Sequence, residues 1–63
     1  MRYFVNGYEV TRWYMAQYIV SQVGGDPEIV ISSYEQAASN YFMGTGEIYY
    51  NDYNLGISIK RCY

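Results

Sequence analysis

The side chains that could carry out covalent chemistry are few in this chain of 63 residues. Histidine, the commonest general acid and base in enzymes, is absent from the sequence. Cys62 is the single cysteine and could act as a nucleophile, but no histidine is present to activate its thiol. A cysteine in such a place is more typical of a small strand residue or a free surface thiol. We therefore expect no nucleophilic site.

Carboxylate pairs and phosphate loops are the remaining candidates for a catalytic site. Glu47 and Asp52 lie beside a predicted turn and could form an acid pair of the glycosidase kind, but such carboxylates are more often solvated charges. The stretch GTGE at 44–47 lacks the lysine and the following hydroxyl residue of a phosphate-binding loop. One cysteine without histidine excludes a Cys/His zinc site. The sequence predicts a protein that is not an enzyme and binds no cofactor or metal.

Tyrosine is the most distinctive residue type of the chain. There are ten tyrosines, and 21% of the residues are aromatic. Tyrosine combined with asparagine, serine and glycine is typical of binding surfaces, because its ring supplies a large amphipathic contact area with few rotatable bonds. The segment EIYYNDYN at 47–54 has this composition, and interfaces are enriched in aromatic residues. The pattern therefore predicts a surface that binds another protein.

Periodicity separates the tyrosines into two groups. Those that share a face with other apolar residues are expected to contribute to the core. These are Tyr3, Tyr8, Tyr34, Tyr41 and Tyr50. Those outside the apolar faces are expected at the surface, where a partner could contact them. These are Tyr14, Tyr18, Tyr49 and Tyr53.

Charge is unevenly distributed along the chain, although the net charge is only -2. The basic residues lie near the two ends of the sequence and are Arg2, Arg12, Lys60 and Arg61. The middle is acidic, and the carboxylates expected to be available to a partner are Glu28, Glu35, Glu47 and Asp52. Nucleic acid is a less favoured partner, because phosphate contacts require lysine and arginine in number. A small basic patch would form if the first and last strands lie close together.

A hairpin is predicted at residues 2–11. Asn6-Gly7 suits both central positions of a type I′ turn, and alternating apolar residues flank it. A two-residue loop pairs the residues on either side of it, so that four apolar side chains share one face. These are Tyr3, Val5, Tyr8 and Val10.

A helix is predicted at residues 12–23. Thr11 can cap its start, and Gly24-Gly25 is a typical helix end. At 100° per residue, one side of this helix forms an apolar stripe. The stripe contains Ala16, Ile19, Val20 and Val23, with Trp13 and Met15 at its borders.

The next segment leaves two alternatives open. Asp26-Pro27 is a favourable helix start, with an N-cap followed by proline at the first helical position. Residues 29–31 are β-branched, and Ser32 and Ser33 give a second capping signal. Either one helix covers 27–43 or a short turn precedes a helix from residue 33, and Gly44 is expected to end it. The continuous helix is favoured by a shared face of Val30, Tyr34, Ala37, Ala38 and Tyr41.

A second hairpin is predicted at residues 47–61. Ile57 and Ile59 alternate with polar residues, and Ile48 and Tyr50 can face the same way across the turn. The order of elements is then β-β-α-α-β-β. It predicts a single α+β domain over residues 1–63, with an antiparallel sheet and both helices on one face.

Chain length limits the stability of such a domain. A chain this short buries only about 60% of the surface that its unfolded form exposes. Small scaffolds usually add a disulfide, a metal or a partner subunit, and the sequence favours the last of these. We expect no signal peptide and no membrane span. A lone thiol without an export signal favours the cytoplasm.

The stretch YFVNGYEVT at 3–11, the amphipathic helix after it and the closing strand GISIKR at 56–61 resemble short accessory proteins of bacterial phages and mobile elements. In those proteins a YxVNGxEVT hairpin leads into a helix. The resemblance implies a protein that binds and blocks a host machine, as anti-CRISPR inhibitors do. Some such proteins present carboxylates to a basic groove in place of DNA. This chain departs from strong DNA mimics in its small net charge and basic ends, so a contact that is part aromatic and part acidic is implied.

The sequence therefore leads to one main hypothesis and two alternatives. The main hypothesis is a small cytoplasmic protein that binds a host protein, as an inhibitor of a nucleic-acid-handling enzyme such as a nuclease with a basic groove. Arginines of that enzyme would pair with carboxylates and stack on tyrosine rings. The first alternative is a homo-oligomer, such as a homodimer, whose exposed tyrosines contact their own copies. The second is a binder of single-stranded nucleic acid.

Overall fold

The computed structural model describes residues 1–62 and has the predicted order of elements. The α+β class, with two helices and a four-stranded antiparallel sheet, is confirmed. The elements are β1 (Arg2–Val5), β2 (Tyr8–Val10), α1 (Arg12–Val23), α2 (Pro27–Thr45), β3 (Tyr49–Asp52) and β4 (Ile57–Lys60).

The turn between β1 and β2 has the geometry that its two residues favour. Asn6 and Gly7 have φ angles of 51° and 86°, so both lie in the left-handed region that a type I′ turn requires. The strands pair Val5 with Tyr8 and continue in that register to the end of β2. The turn type and the register of this hairpin therefore follow from the local sequence.

The sheet order is β2-β1-β4-β3, which places the first and last strands side by side in the centre. In the β1–β4 pair, Arg2 lies opposite Lys60 and Val5 lies opposite Ile57. β2 and β3 are consequently the two edges of the sheet. Each edge strand is joined to the centre by a short hairpin connection.

The core lies between one face of the sheet and the two helices. Because side chains alternate along a strand, the odd-numbered residues of the two central strands point towards the helices. Ile57 and Ile59 of β4 are buried there, whereas Ser58 and Lys60 are only partly covered. The buried residues are Val5, Met15, Ala16, Ile19, Ile31, Ala38, Phe42, Ile57 and Ile59.

The buried side of α1 differs from the predicted stripe. Met15, expected at the border, is fully buried, whereas Val23 at the end of the helix is exposed. Thr11 caps the helix as predicted, since its hydroxyl oxygen accepts a hydrogen bond from the Tyr14 amide at 3.1 Å. The rotation towards Met15 follows from the directions in which the sheet and α2 lie, and these cannot be read from the periodicity of α1.

The continuous alternative for α2 is correct, because one helix runs over Pro27–Thr45. Asp26 caps its start by accepting hydrogen bonds from two amides, and Ser33 lies inside the helix with its hydroxyl donating to the Ile29 carbonyl. The prediction that Gly44 ends the helix is wrong. Gly46, with a φ of 73°, ends it instead, and its amide donates to the carbonyl of Phe42.

The cap at Asp26 gives a first prediction about stability. Asp26→Ala should lower the free energy of unfolding by about 1 kcal/mol, because the first amides of α2 lose their acceptor. Asp26→Ser, which retains an oxygen at the same position, should lose only a few tenths of that value. Urea unfolding followed by circular dichroism at 222 nm measures both. Equal losses in the two variants would contradict a capping role.

Candidate protein-binding surface

The face of the sheet that points away from the helices is uncovered in the described part of the chain. Alternation along the strands and their register place seven side chains on this open sheet face. They are Arg2, Phe4, Glu9, Tyr49, Asn51, Ser58 and Lys60. The face combines aromatic, charged and amide side chains, which is a composition suited to protein contacts.

An aromatic pair crosses the open sheet face. The ring centroids of Phe4 on β1 and Tyr49 on β3 lie 6.4 Å apart at an interplanar angle of 55°. Lys60 on the intervening strand places its Nζ 5.6 Å from the centroid of the Tyr49 ring. The two rings therefore form a platform with a cation beside it, and this geometry allows further stacking by a partner side chain.

The basic residues gather only in part. Arg2 lies opposite Lys60 in the β1–β4 pair, because the first and last strands are neighbours. Arg2 also donates to both carboxylate oxygens of Glu9 at 2.6 and 2.7 Å. This hydrogen bond holds the pKa of Glu9 below its usual value. The open sheet face is therefore of mixed charge, and Arg12 lies elsewhere, on α1.

Arg12 joins both helices to the sheet. Its Nε donates to Glu35 at 2.8 Å, and its Nη2 lies 3.1 Å from oxygens of both Glu35 and Glu28. The Tyr3 hydroxyl also donates to Glu35. These hydrogen bonds, that of Arg12 first, hold the pKa of Glu35 below its usual value against the opposing effect of burial. Glu28 and Glu35 were predicted to be available to a partner, but folding brings Arg12 to both, so they are already engaged in ion pairs.

The Asp52 carboxylate is held at the end of β3 by neutral donors. The Tyr34 hydroxyl donates to its Oδ2 at 2.8 Å. The amides of Asn54 and Leu55 donate to its Oδ1 at 3.0 and 3.3 Å. Asp52 thus fixes the β3–β4 turn and links it to α2, while Glu47 lies exposed before β3. Of the four predicted carboxylates, these two form no ion pair with another residue of the range 1–62.

The surface tyrosines are where the sequence placed them, with one exception. Tyr14, Tyr49 and Tyr53 are exposed, and Tyr53 reaches 88%. Tyr18 was expected beside Tyr14, but it is half-buried against the core. Its hydroxyl donates to the carbonyl of Leu55 at 2.9 Å. The prediction that Tyr18 lies outside the packed side of α1 is therefore wrong, and it supports the β3–β4 turn instead.

The five tyrosines predicted to contribute to the core differ in how far they are buried. Tyr3, Tyr34 and Tyr50 pack against the core with partial exposure. Tyr8 is 77% exposed at the turn end of the edge strand β2, whereas Val10 at the other end of this strand packs against the core. Tyr41 is also exposed, although its ring packs 5.5 Å from that of Tyr50. The prediction that Tyr8 and Tyr41 are buried is wrong. A residue can lie on the predicted face of its strand or helix and still have no other element packed over it.

Two further aromatic residues, Trp13 and Phe4, lie on the surface but are not among the predicted partner-binding residues. Trp13 was assigned to the border of the α1 stripe, but it is 54% exposed. Phe4 alternates with the apolar residues of the first hairpin and so shares a face with Arg2 and Glu9, and this position is the sequence signal for an aromatic residue on the open sheet face. Cys62 is exposed and forms no disulfide, in keeping with a free surface thiol.

A comparison of the chain with protein families, curated proteins and solved structures found no match in any of the three. Among residues 1–62, neither helix combines the length and hydropathy needed to cross a membrane. In the same range no cluster of carboxylate or thiol side chains is arranged to hold a metal ion.

Proposed function

We propose that this chain is a protein-binding module that inhibits a host nucleic-acid-handling enzyme by occupying a basic surface of it, in the manner of anti-CRISPR proteins. The observation that carries the proposal is the number of aromatic side chains outside the core. Such rings supply contact area at low entropic cost. The exposed ones are Tyr8, Trp13, Tyr14, Tyr41, Tyr49 and Tyr53.

Internal packing does not require these rings at the surface. Nine residues form the core, and no buried side-chain nitrogen or oxygen within residues 1–62 lacks a hydrogen-bond partner. Tyr14 and Tyr53 make no recorded side-chain hydrogen bond or ring contact in that range. Their contact area is therefore available to a partner.

The acidic part of the contact is smaller than the sequence suggested. Glu28 and Glu35 are engaged with Arg12, so they contribute less to attracting a basic partner. Glu47 and Asp52 remain. Glu47 precedes β3 and Asp52 is its last residue, and the exposed Tyr49 and Tyr53 lie within two residues of them in the sequence. The segment 47–53 therefore offers carboxylates and tyrosines to a partner, and arginine side chains can pair with the former and stack on the latter.

Self-association is the second candidate, and the sheet supplies a specific observation in its favour. The sheet has two unpaired edges and one uncovered face that carries the Phe4–Tyr49 platform. Edges and aromatic faces of this kind can pair with a second copy. The homo-oligomer would bury the same rings without a foreign partner.

Capture from a bacterial lysate tests the proposal. The immobilised chain should retain a specific protein after the lysate has been treated with nuclease, which removes bridging by nucleic acid. Tyr14→Ser/Tyr53→Ser should reduce the retained amount at least tenfold, because two exposed rings are lost at little cost to the fold. The recovered enzyme should lose nucleic-acid binding or cleavage when the purified chain is added.

A matched variant on α1 separates specific contact from general stickiness. Gln17→Ser/Gln22→Ser changes two exposed polar residues of α1, the helix that carries Tyr14, and should retain as much protein as the wild type. No difference between the two double variants would contradict the proposal. A concentration-dependent molar mass by light scattering, abolished by the tyrosine variant alone, would support the homo-oligomer instead.

A further inference from the structure

The edge strand β3 has main-chain groups that face away from the sheet. The Arg61 amide donates to the Ile48 carbonyl at 2.7 Å, so residues 48 and 61 form a hydrogen-bonded pair in the register of β3 and β4. Since hydrogen-bonded and non-hydrogen-bonded residue pairs alternate along antiparallel strands, Tyr50 and Asp52 turn their main-chain groups towards β4. Tyr49 and Asn51 turn theirs outward. An extended chain could add there by strand pairing.

A pocket of about 230 Å³ lies on the helix side of this edge. It separates β3 from α2 and is lined by Ser33, Tyr34, Ala37, Tyr50 and Asp52. A strand added to β3 would direct every second side chain to this side of the sheet, next to those of Tyr50 and Asp52. The pocket and the free edge therefore belong to one groove.

The chemistry of the pocket favours a cation. The donors that reach the Asp52 carboxylate in residues 1–62 are neutral, namely the Tyr34 hydroxyl and two main-chain amides. A carboxylate has about four acceptor positions, so one remains for an incoming donor. The Ser33 hydroxyl already donates to the Ile29 carbonyl, so it adds no donor here. Tyr34 and Tyr50 also line the pocket, and aromatic rings attract a planar cationic group.

We propose that β3 accepts an extended segment of the partner protein as a fifth strand, and that the pocket takes an arginine side chain of this segment. The guanidinium pairs with Asp52 and lies against the tyrosine rings, while main-chain hydrogen bonds form to Tyr49 and Asn51. This inference rests on the proposed function and specifies the chemistry of the partner. The alternate side chains of the segment lie on the open sheet face beside Tyr49.

A foreign basic segment fits this edge better than a second copy does. Residues 47–52 contain Glu47 and Asp52 and no basic residue. Two copies joined along β3 would bring the acidic residues of both chains to one seam, where like charges repel. The other edge, β2, is three residues long, one residue shorter than β3.

A short peptide tests the proposal directly. The probe is fluorescein-labelled Thr-Val-Arg-Val-Thr with blocked ends, and the matched control carries norleucine in place of arginine. The arginine peptide should bind the wild-type chain at least tenfold more tightly, as measured by fluorescence anisotropy. In ¹⁵N NMR spectra, the largest amide shifts should fall on Tyr49, Asn51 and the adjoining part of α2.

Two variants locate the effect. Asp52→Asn retains an oxygen for the turn amides but removes the charge, and it should erase the preference for arginine over norleucine. Ala37→Gln fills the pocket from α2 without touching the turn, and it should weaken binding of the arginine peptide at least tenfold. Glu47→Gln is the control for general electrostatics and should change affinity less than threefold. Circular dichroism verifies folding of each variant.

Several outcomes would overturn the inference. These are equal affinities for the two peptides, an unchanged preference in Asp52→Asn, unchanged binding in folded Ala37→Gln, or amide shifts centred away from β3. A dimer in which the Tyr49 and Asn51 amides are protected from exchange would assign the edge to a second copy. Protein capture that depends on Tyr14 and Tyr53 but not on Asp52 would leave the proposed function intact while this inference fails.

Discussion

Ile31→Ala is expected to lower the free energy of unfolding by about 2–5 kcal/mol. Ile31 is fully buried in the second turn of α2 and belongs to the hydrophobic core cluster. Removal of its side chain deletes apolar contacts and leaves a cavity that surrounding residues fill only in part. A chain of this size has about 3–9 kcal/mol of total stability, so the loss takes up most of it.

Ile29→Ala provides the matched control on the same helix. Ile29 lies two residues earlier and is 67% exposed, so the same substitution should change the free energy of unfolding by less than about 0.5 kcal/mol. Urea unfolding followed by circular dichroism compares the two variants. Similar losses in both would contradict the assignment of the inner face of α2.

The second large effect is a loss of stability in alkali. Burial, followed by the hydrogen bond to Glu35, raises the pKa of Tyr3 to about 12. Burial, followed by the hydrogen bond to Asp52, raises the pKa of Tyr34 to about 12 as well. An unfolded tyrosine titrates near pH 10, roughly two pH units lower. The folded state therefore holds two protons that the unfolded state releases.

The sign of the effect follows from linkage. The stabilisation from a raised pKa is complete below about pH 10 and is lost as the pH rises towards about 12. Two pKa units correspond to about 2.7 kcal/mol for each tyrosine, and partial solvent exposure reduces this to roughly 1–2 kcal/mol each. We expect the free energy of unfolding to fall by about 2–4 kcal/mol between pH 10 and pH 12.

Phenylalanine variants separate the two contributions. Tyr3→Phe and Tyr34→Phe should each remove about half of the alkaline loss, because neither variant has a phenol to titrate at that position. Tyr53→Phe, at the most exposed tyrosine of the described chain, should follow the wild-type pH dependence. Urea unfolding at pH 8, 10, 11 and 12 measures how steeply the free energy of unfolding of each variant falls with pH. If Tyr3→Phe and Tyr34→Phe both lose stability with pH as steeply as the wild type does, the hydrogen-bonded placement of these two tyrosines is refuted.

Local signals in the sequence determined the elements of this fold. The pair Asn6-Gly7 requires a turn with two positive φ angles, and the register of the first hairpin follows from it. Asp26-Pro27 starts α2, and the spacing of apolar residues favours its continuity over a break at Ser33. These features depend on neighbours within a few positions, so they can be read without knowledge of the rest of the chain.

Burial of individual tyrosines depended on which element covers each face. The sequence places Tyr8 and Val5 on one face of the first hairpin, yet only Val5 is buried, because nothing in the described chain packs over Tyr8 at the turn end of the edge strand β2. Tyr18 lies one turn from Tyr14, but the β3–β4 turn reaches Tyr18 and binds its hydroxyl through Leu55. Periodicity specifies a side of an element and leaves open what packs on that side.

The charges and the candidate site were decided by the tertiary structure. In the sequence, Glu28 and Glu35 stand 16 and 23 residues from Arg12, and folding makes them its ion-pair partners. The sequence indicated a wet, tyrosine-rich segment at 47–54, and only the packing of α2 beside β3 turned part of it into a groove. Composition and local pattern thus determined the elements and the tyrosine-rich character of the chain. The long-range contacts, which no local pattern encodes, decided which of those side chains remain available to a partner.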